Sequence, residues 1–264
     1  MKRFGLAGAA LALLFSGGAL AQDGGGEETQ ETPTEATDVA SLPTADELFE
    51  KHIEAIGGRE AIFAQTSRRI RGVYAGPPFG EVPARVTIWQ DAPDRFHMRL
   101  AQPAGGSMDV AYDGATGWRQ NSGQSPVETT GPDLVELQQT ADFFGEANYK
   151  ERYETRRTKG TATFAGLDVY VVSVLMTDGR EMYIMFDQAS GLFTGTRSSF
   201  VDPNGAKREM ISIISDYEEA GGVLYPRRIE QLIGGLEKRI SYNYRSVVVD
   251  GEDDGHDYSM PIGG

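Results

Sequence analysis

The chain has 264 residues, of which 39 are acidic and 25 basic, and its formal net charge is −14. Such a charge repels phosphate backbones and anionic lipid headgroups, so we do not expect nucleic acid as a partner. The chain contains no Cys, which excludes disulfides, thiolate metal sites and Cys nucleophiles, and its three His leave little for histidine-based metal sites.

The N-terminus predicts a secretory signal peptide over residues 1–21. Two basic residues precede a short apolar run, Leu6 to Phe15, and Ala19-Leu20-Ala21 is a cleavage site of the A-x-A kind. The apolar run is too short to span a bilayer, which favours a cleaved leader over an uncleaved anchor. We therefore expect the mature chain to begin at Gln22 and to reside in the periplasm of a Gram-negative bacterium.

Residues 22–43 are predicted to form a disordered acidic linker. This stretch carries six carboxylates and no basic residue, and Gly24-Gly25-Gly26 and Pro33 interrupt any helix. Self-repulsion and a lack of large apolar side chains favour a disordered tether. An acidic docking tail is the alternative role for this segment.

Residues 44–264 are predicted to form a single domain that opens with a helix. Thr44 and Glu47 form a capping box, in which each side chain reaches the other residue's backbone N–H. Gly57-Gly58 ends the helix, and a short second helical turn, Arg59 to Ala64, follows. The apolar positions of the first helix share one face, which a sheet is expected to cover: Leu48, Phe49, His52, Ile53 and Ile56.

From Ser67 onward the apolar residues recur every second position, which predicts β-strands. Arg95 to Leu100 shows the pattern, and Gly/Pro/Asp turn signals separate such segments. The predicted fold is mainly β (α+β), with an antiparallel sheet of roughly nine to eleven strands that curls into a half-open barrel. Pro132 to Gln139 looks helical, and this insert, with Ala141 to Tyr153 behind it, is placed to cover the open face.

One turn pattern occurs twice, as Tyr112-Asp113-Gly114-Ala115-Thr116-Gly117-Trp118 and Phe186-Asp187-Gln188-Ala189-Ser190-Gly191-Leu192. Aspartate begins a type I turn through its side chain, and the glycine accepts the positive φ that closes it. We interpret both copies as hairpin turns. A duplicated ligand loop is the alternative.

The sequence contains no nucleophile elbow, zinc-protease motif, Walker loop or dinucleotide fingerprint. We therefore predict no catalytic residue, no metal and no cofactor, although a dispersed Ser–His–Asp site stays open. Asp250 to Gly255 matches part of a calcium loop, but Pro261 stands where a bidentate Glu is needed, which favours a solvated acidic loop. His52 is interpreted as a packed, hydrogen-bonded side chain and His97 as a solvent-facing one.

Four basic pairs in the sheet region are interpreted as outward strand positions, and a lipid-headgroup clamp is the alternative. They are Arg68-Arg69, Arg156-Arg157, Arg227-Arg228 and Lys238-Arg239.

Large, soft apolar side chains on the predicted strands are the candidate ligand-binding residues. Methionine and aromatic side chains adapt to ligands of variable shape, and a curled sheet covered by helices tends to enclose a cavity. A plain hydrophobic core is the alternative role for the same residues. The predicted cavity lining consists of Trp89, Phe96, Met98, Met108, Tyr112, Trp118, Met182, Ile184 and Phe186.

The ordered set of motifs resembles the exported outer-membrane lipoprotein-sorting-like proteins, which are related to the LolA and LolB carriers. The resemblance covers nearly all of the chain after residue 43. It rests on the helix and Gly-Gly at 45–58, Ala92-Pro93-Asp94-Arg95-Phe96, the two Asp-x-x-Ser/Thr-Gly turns, and Asp216-Tyr217 with Gly222-Val223-x-Tyr225-Pro226.

This resemblance implies a half-open barrel with helices acting as a lid over an apolar concave face. It also implies a non-enzymatic periplasmic carrier that shields the acyl chain of a lipid or lipoprotein, with a possible membrane-protein partner. We expect a monomer. The rivals are a protein-interaction module whose barrel is filled by its own side chains, and, less favoured, a hydrolase with a dispersed site.

Overall fold

The computed structural model describes residues 42–79, 82–177, 179–201, 205–234 and 239–262. The predicted signal peptide and most of the predicted linker lie outside the described residues, as does Lys238 of the last basic pair.

In the described part of the chain, thirteen strands form one antiparallel sheet with the spatial order β6-β5-β4-β3-β2-β1-β13-β12-β11-β10-β9-β8-β7. The strands are β1 Ser67–Ala75, β2 Ala84–Asp91, β3 Arg95–Ala101, β4 Ser107–Tyr112, β5 Gly117–Asn121, β6 Val127–Thr129, β7 Tyr153–Phe164, β8 Leu167–Met176, β9 Glu181–Asp187, β10 Phe193–Val201, β11 Lys207–Ala220, β12 Val223–Ile233 and β13 Ile240–Val249. The first and last strands pair with each other, so β6 and β7 are the two edges and the curled sheet stays open. The predicted fold class is confirmed.

The strand number exceeds the predicted nine to eleven because several strands lack an apolar alternation. The strand β6 has only three residues, and β7 is a polar edge strand whose side chains are mostly exposed. Edge strands bury little surface, so hydrophobic periodicity does not reveal them.

The described residues include four helices beside the sheet: α1 Ala45–Ala55, α2 Gly58–Ala64, α3 Pro132–Ala141 and α4 Tyr149–Arg152. The capping box of α1 is present, since the Glu47 N–H donates to Thr44 Oγ1 at 3.2 Å and the Thr44 N–H donates to Glu47 Oε2 at 2.7 Å. The predicted apolar face of α1 is buried. Among the described residues, no helix has the length and apolar character needed to cross a membrane.

The helices lie against one face of the sheet, which we call the concave face. Phe49 of α1 stacks on Tyr149 with ring centroids 4.4 Å apart and meets Phe186 of β9 at 5.1 Å. Leu137 of α3 is fully buried and lies so close to Gly117 that a Cβ there would approach it to 2.8 Å. The insert between β6 and β7 therefore covers the sheet, as predicted.

Candidate functional site

A cavity of about 90 Å³ lies between the concave face and the chain that links α3 to α4. We call residues 142–148 of this link the cover segment. Phe49 and His52 of α1 form one wall, and Ile214 and Ile229 belong to the opposite, sheet-borne wall. Most of the lining is aromatic or aliphatic, so the cavity offers an apolar surface with charged groups near the cover segment.

Two arginines hold the cover segment through its backbone. Arg68 of β1 donates from Nη2 to the Phe143 carbonyl at 2.7 Å, and its guanidinium carbon lies 4.0 Å from the centre of the Phe143 ring. Arg59 of α2 donates from Nη1 to the Ala147 carbonyl at 2.7 Å. The Phe143 N–H donates to the Pro93 carbonyl at 2.9 Å. A few hydrogen bonds thus fix the segment over the cavity.

The prediction that basic pairs point outward is wrong for Arg68, which is half-buried and lines the cavity. The alternation of apolar residues did not mark position 68 as an inward-facing position. However, an arginine can bury its long stem while its guanidinium binds carbonyls and an aromatic face.

Two titratable groups of the cavity are shifted by burial. Burial lowers the pKa of His52, against a smaller opposing effect of Glu146 3.9 Å away, so the imidazole is neutral. Its Nδ1 accepts the Phe193 N–H at 3.2 Å, which confirms a packed, hydrogen-bonded histidine. Burial also raises the pKa of Asp142, against the hydrogen bond from the Phe144 N–H and the charges of Arg152 and Arg68.

Polar side chains occupy a row of the concave face next to the cavity wall. Thr196, Ser212 and Gln231 are cross-strand neighbours on β10, β11 and β12, and each is at most 2% exposed. Within the described part of the chain, Thr196 Oγ1, Ser212 Oγ and Gln231 Nε2 have no hydrogen-bond partner. The sequence does not reveal this row, because Ser, Thr and Gln in a strand ordinarily mark its solvent face.

Seven of the nine predicted lining residues are buried in the core of the concave face. They are Phe96, Met98, Met108, Tyr112, Met182, Ile184 and Phe186. Trp89 and Trp118 lie on the convex face instead. Trp89 pairs with His97 and Trp118 with Ala111, so both are out of phase with Phe96.

The wall of the 90 Å³ cavity contains none of these nine residues. Their contact with a ligand stays a prediction.

The convex face carries a buried polar cluster that corrects the prediction for His97. This histidine is 7% exposed, and its Nε2 lies 2.9 Å from Asp109 Oδ1. Residues 250–262, which we call the C-terminal segment, cover it. An alternating strand pattern assigns a side chain to a face but does not reveal that a distant segment covers that face.

The structure also tests the interpretations of the acidic loop at Asp250 and of the two turns at Asp113 and Asp187. Asp250 accepts the backbone N–H groups of Thr66 and Ser67 at 2.7 and 2.9 Å, so its carboxylate fixes the chain. In the described ranges, no cluster of three or more His, Asp or Glu is arranged to hold a metal ion. Asp113 and Asp187 accept backbone N–H groups of their own turns, which confirms the hairpin interpretation.

Known proteins resemble this chain in fold. A LolA superfamily protein from Nitrosomonas europaea superimposes with a TM-score of 0.51 at 15% identity, covering 78% of this chain and 93% of that one. A DUF1329 family protein from Desulfovibrio piger gives 0.53 at 9% identity, covering 78% and 93%. A domain named for outer membrane lipoprotein sorting, from Vibrio parahaemolyticus, gives 0.50 at 12% identity, covering 77% and 94%.

No family model and no curated protein matches the chain. The half-open, helix-covered sheet has a fold of the LolA type, and the resemblance seen in the sequence is confirmed at the level of the fold.

Proposed function

We propose that the protein is a non-enzymatic periplasmic carrier that binds the acyl chain of a lipid or lipoprotein on its concave face, beneath the cover segment. The observation that carries this proposal is the apolar cavity between that segment and the sheet, in a fold of the LolA type. Burial of hydrocarbon supplies the affinity. Each CH₂ removed from water contributes about 0.8 kcal/mol, so one acyl chain yields roughly 10 kcal/mol before entropy costs.

The proposed carrier is closed in this state. Ligand pockets occupy roughly 300–1,000 Å³, whereas this cavity measures about 90 Å³. Uptake therefore requires the cover segment to move outward. Arg59 and Arg68 hold that segment by hydrogen bonds to its carbonyl oxygens. These hydrogen bonds can break without any change in strand pairing.

The alternative is an interaction module with a self-filled sheet. Seven predicted lining residues belong to one continuous buried core, which is the observation that supports this alternative. In that case a membrane-bound protein partner would bind an outer edge strand or the acidic linker.

The test is native mass spectrometry with solvent extraction on protein recovered from its own periplasm. A bound lipid or acylated peptide near one per chain would support a carrier and identify its cargo. A bare mass, together with no uptake of a fluorescent fatty acid, would contradict the carrier and favour the interaction module.

A pair of variants locates the binding site. Ile214→Phe places a larger ring in the cavity wall and is expected to weaken fatty-acid uptake at least tenfold. Ile213→Phe adds the same ring on the other face of β11 and is the matched control. Circular dichroism checks that both variants fold. Equal uptake by both folded variants would contradict this location.

A further inference from the structure

The C-terminal segment crosses the convex face of β1–β5 without joining the sheet as a strand. It begins at Asp250, whose backbone has a φ of 47° and whose carboxylate is held by Thr66 and Ser67. Gly251 follows directly. The contacts of Asp250 precede Gly251 in the chain. Residues 251–262 can therefore leave the convex face together while Asp250 stays bound to Thr66 and Ser67.

Side chains from β1, β2 and β5 hold the segment, together with a histidine of β3. Arg69 of β1 lies 3.3 Å from Asp254, and Trp89 of β2 donates its indole N–H to Asp254 at 3.3 Å. His256 stacks on Trp89 with ring centroids 4.2 Å apart. Trp118 of β5 donates its indole N–H to the Tyr258 carbonyl at 2.8 Å.

A histidine pair forms the centre of this contact. His97 Nδ1 lies 2.8 Å from His256 Nε2, and His97 Nε2 lies 2.9 Å from Asp109 Oδ1. With Asp109 ionised, His97 donates from Nε2 to the carboxylate, and its Nδ1 accepts the proton of His256 Nε2. A proton gained by His256 places an imidazolium in this half-buried contact, close to the Arg69 guanidinium.

The charged and titratable groups around His256 come from the sheet and from the segment. From the sheet these are Arg69 of β1, Asp91 of β2 and His97 of β3. Asp254 and Asp257 belong to the segment itself. Behind His97 stand Asp109 and Arg99, 3.8 Å apart. Burial and the charge of His97 lower the pKa of His256 to about 4, with Asp254 and Asp91 opposing and Arg69 reinforcing this shift.

We propose that the convex face of β1–β5 is a peptide-docking surface, that the chain's own C-terminal segment is its occupant, and that the His97–His256 contact makes this occupancy pH-sensitive, so that acidification releases the segment. Release uncovers two indoles and an imidazole. Large aromatic side chains of this kind are enriched in protein interfaces.

The direction and size of the effect follow from linkage. The pKa of His256 is about 4 when docked and about 6.5 in an unperturbed histidine. Docking is therefore fully favourable above pH 6.5 and weakens as the pH falls toward 4. Between pH 7.5 and 5 the docking constant is expected to fall about 30-fold. The pKa of Asp254 is also lowered, from an ordinary value of 3.8, so its loss of charge acts below this range.

Hydrogen exchange of the indole N–H groups tests the proposal on the full-length chain. The chain has only two Trp, and both face the C-terminal segment. The Trp118 indole N–H, normalised to the indole N–H of free tryptophan at each pH, is expected to lose protection about 30-fold between pH 7.5 and 5. Its protection is also expected to lie below that of the Val174 backbone amide, which reports unfolding of the sheet. If the two groups show equal protection at every pH, exchange requires global unfolding and the proposal fails.

Two variants test whether His256 causes the pH dependence of Trp118 protection. His256→Gln keeps a donor toward His97 but does not titrate, and its Trp118 protection is expected to vary less than about threefold over the same pH range. Glu252→Gln, an exposed position of the same segment, is the matched control and should keep the wild-type dependence. An unchanged 30-fold dependence in His256→Gln would overturn the role of the histidine pair.

Discussion

Thr194 and Thr196 lie on the same strand and are both buried, yet only the Thr194 hydroxyl has a hydrogen-bond partner among the described residues. Thr194 Oγ1 donates to the Met185 carbonyl at 3.2 Å. Thr196 is completely buried, and Oγ1 has no partner among the described residues. A buried polar atom without a hydrogen bond costs about 1–3 kcal/mol, whereas a made hydrogen bond contributes about 1 kcal/mol.

We predict opposite effects for the same change at these two positions. Thr196→Val should raise the free energy of unfolding by about 1 kcal/mol, because it replaces an unpaired hydroxyl by a methyl group of similar volume. Thr194→Val should lower it by about 1 kcal/mol, because it removes the hydrogen bond to the Met185 carbonyl. Urea denaturation measures both. Equal destabilisation would mean that the Thr196 hydroxyl binds a water molecule or a ligand in solution.

The cover segment is the element whose movement the proposed carrier requires. It is short, and Arg68 reaches it from β1, a strand of the rigid sheet. The cation–π contact and the hydrogen bond to Phe143 both come from this one side chain. Removal of the guanidinium should therefore loosen the segment without disturbing strand pairing.

Arg68→Met retains the apolar stem and removes both contacts. We expect faster association of a fluorescent fatty acid, by about fivefold to tenfold, since the lost contacts are worth roughly 1–1.5 kcal/mol. Proteolytic cleavage within residues 142–148 should also accelerate. Arg71→Met, an exposed position on the same strand, is the matched control. If cleavage accelerates while fatty-acid association does not, movement of the segment does not limit uptake.

The elements also show what the sequence could and could not predict. Capping residues, Asp turns and alternating strands such as Arg95–Ala101 depend on local chemistry, and the structure confirms them. The cavity wall depends on which strands meet across the sheet. Ile214 and Ile229 are partners in the β11–β12 hairpin, but Arg68 is far from both in sequence and reaches them only because β1 pairs with β13 and β13 with β12. No local pattern encodes that convergence.

At the scale of the whole molecule, one strand pair joins the two halves of the sheet. The strands β2–β6 follow β1, the strands β7–β12 precede β13, and β1 pairs with β13 along their length. Gly72 allows the backbones of β1 and β13 to approach closely, since a Cβ at this position would lie 2.2 Å from the Asn243 carbonyl oxygen. The core residues of both halves also form one cluster. We therefore propose that residues 44–264 unfold as a single domain.

A single domain predicts one calorimetric transition, with equal calorimetric and van't Hoff enthalpies. Trp89 and Trp118 both belong to the first half of the sheet, so their fluorescence should change together with the far-ultraviolet circular dichroism of all strands. Gly72→Ala forces β1 and β13 apart and should lower the free energy of unfolding by more than about 2 kcal/mol while the transition stays single. Gly234→Ala, whose Cβ would meet its nearest neighbours at 3.6 Å, is the control and should have little effect. Two transitions, with the tryptophan signal confined to one of them, would instead show that the halves fold separately and that the β1–β13 pair is an interface between domains.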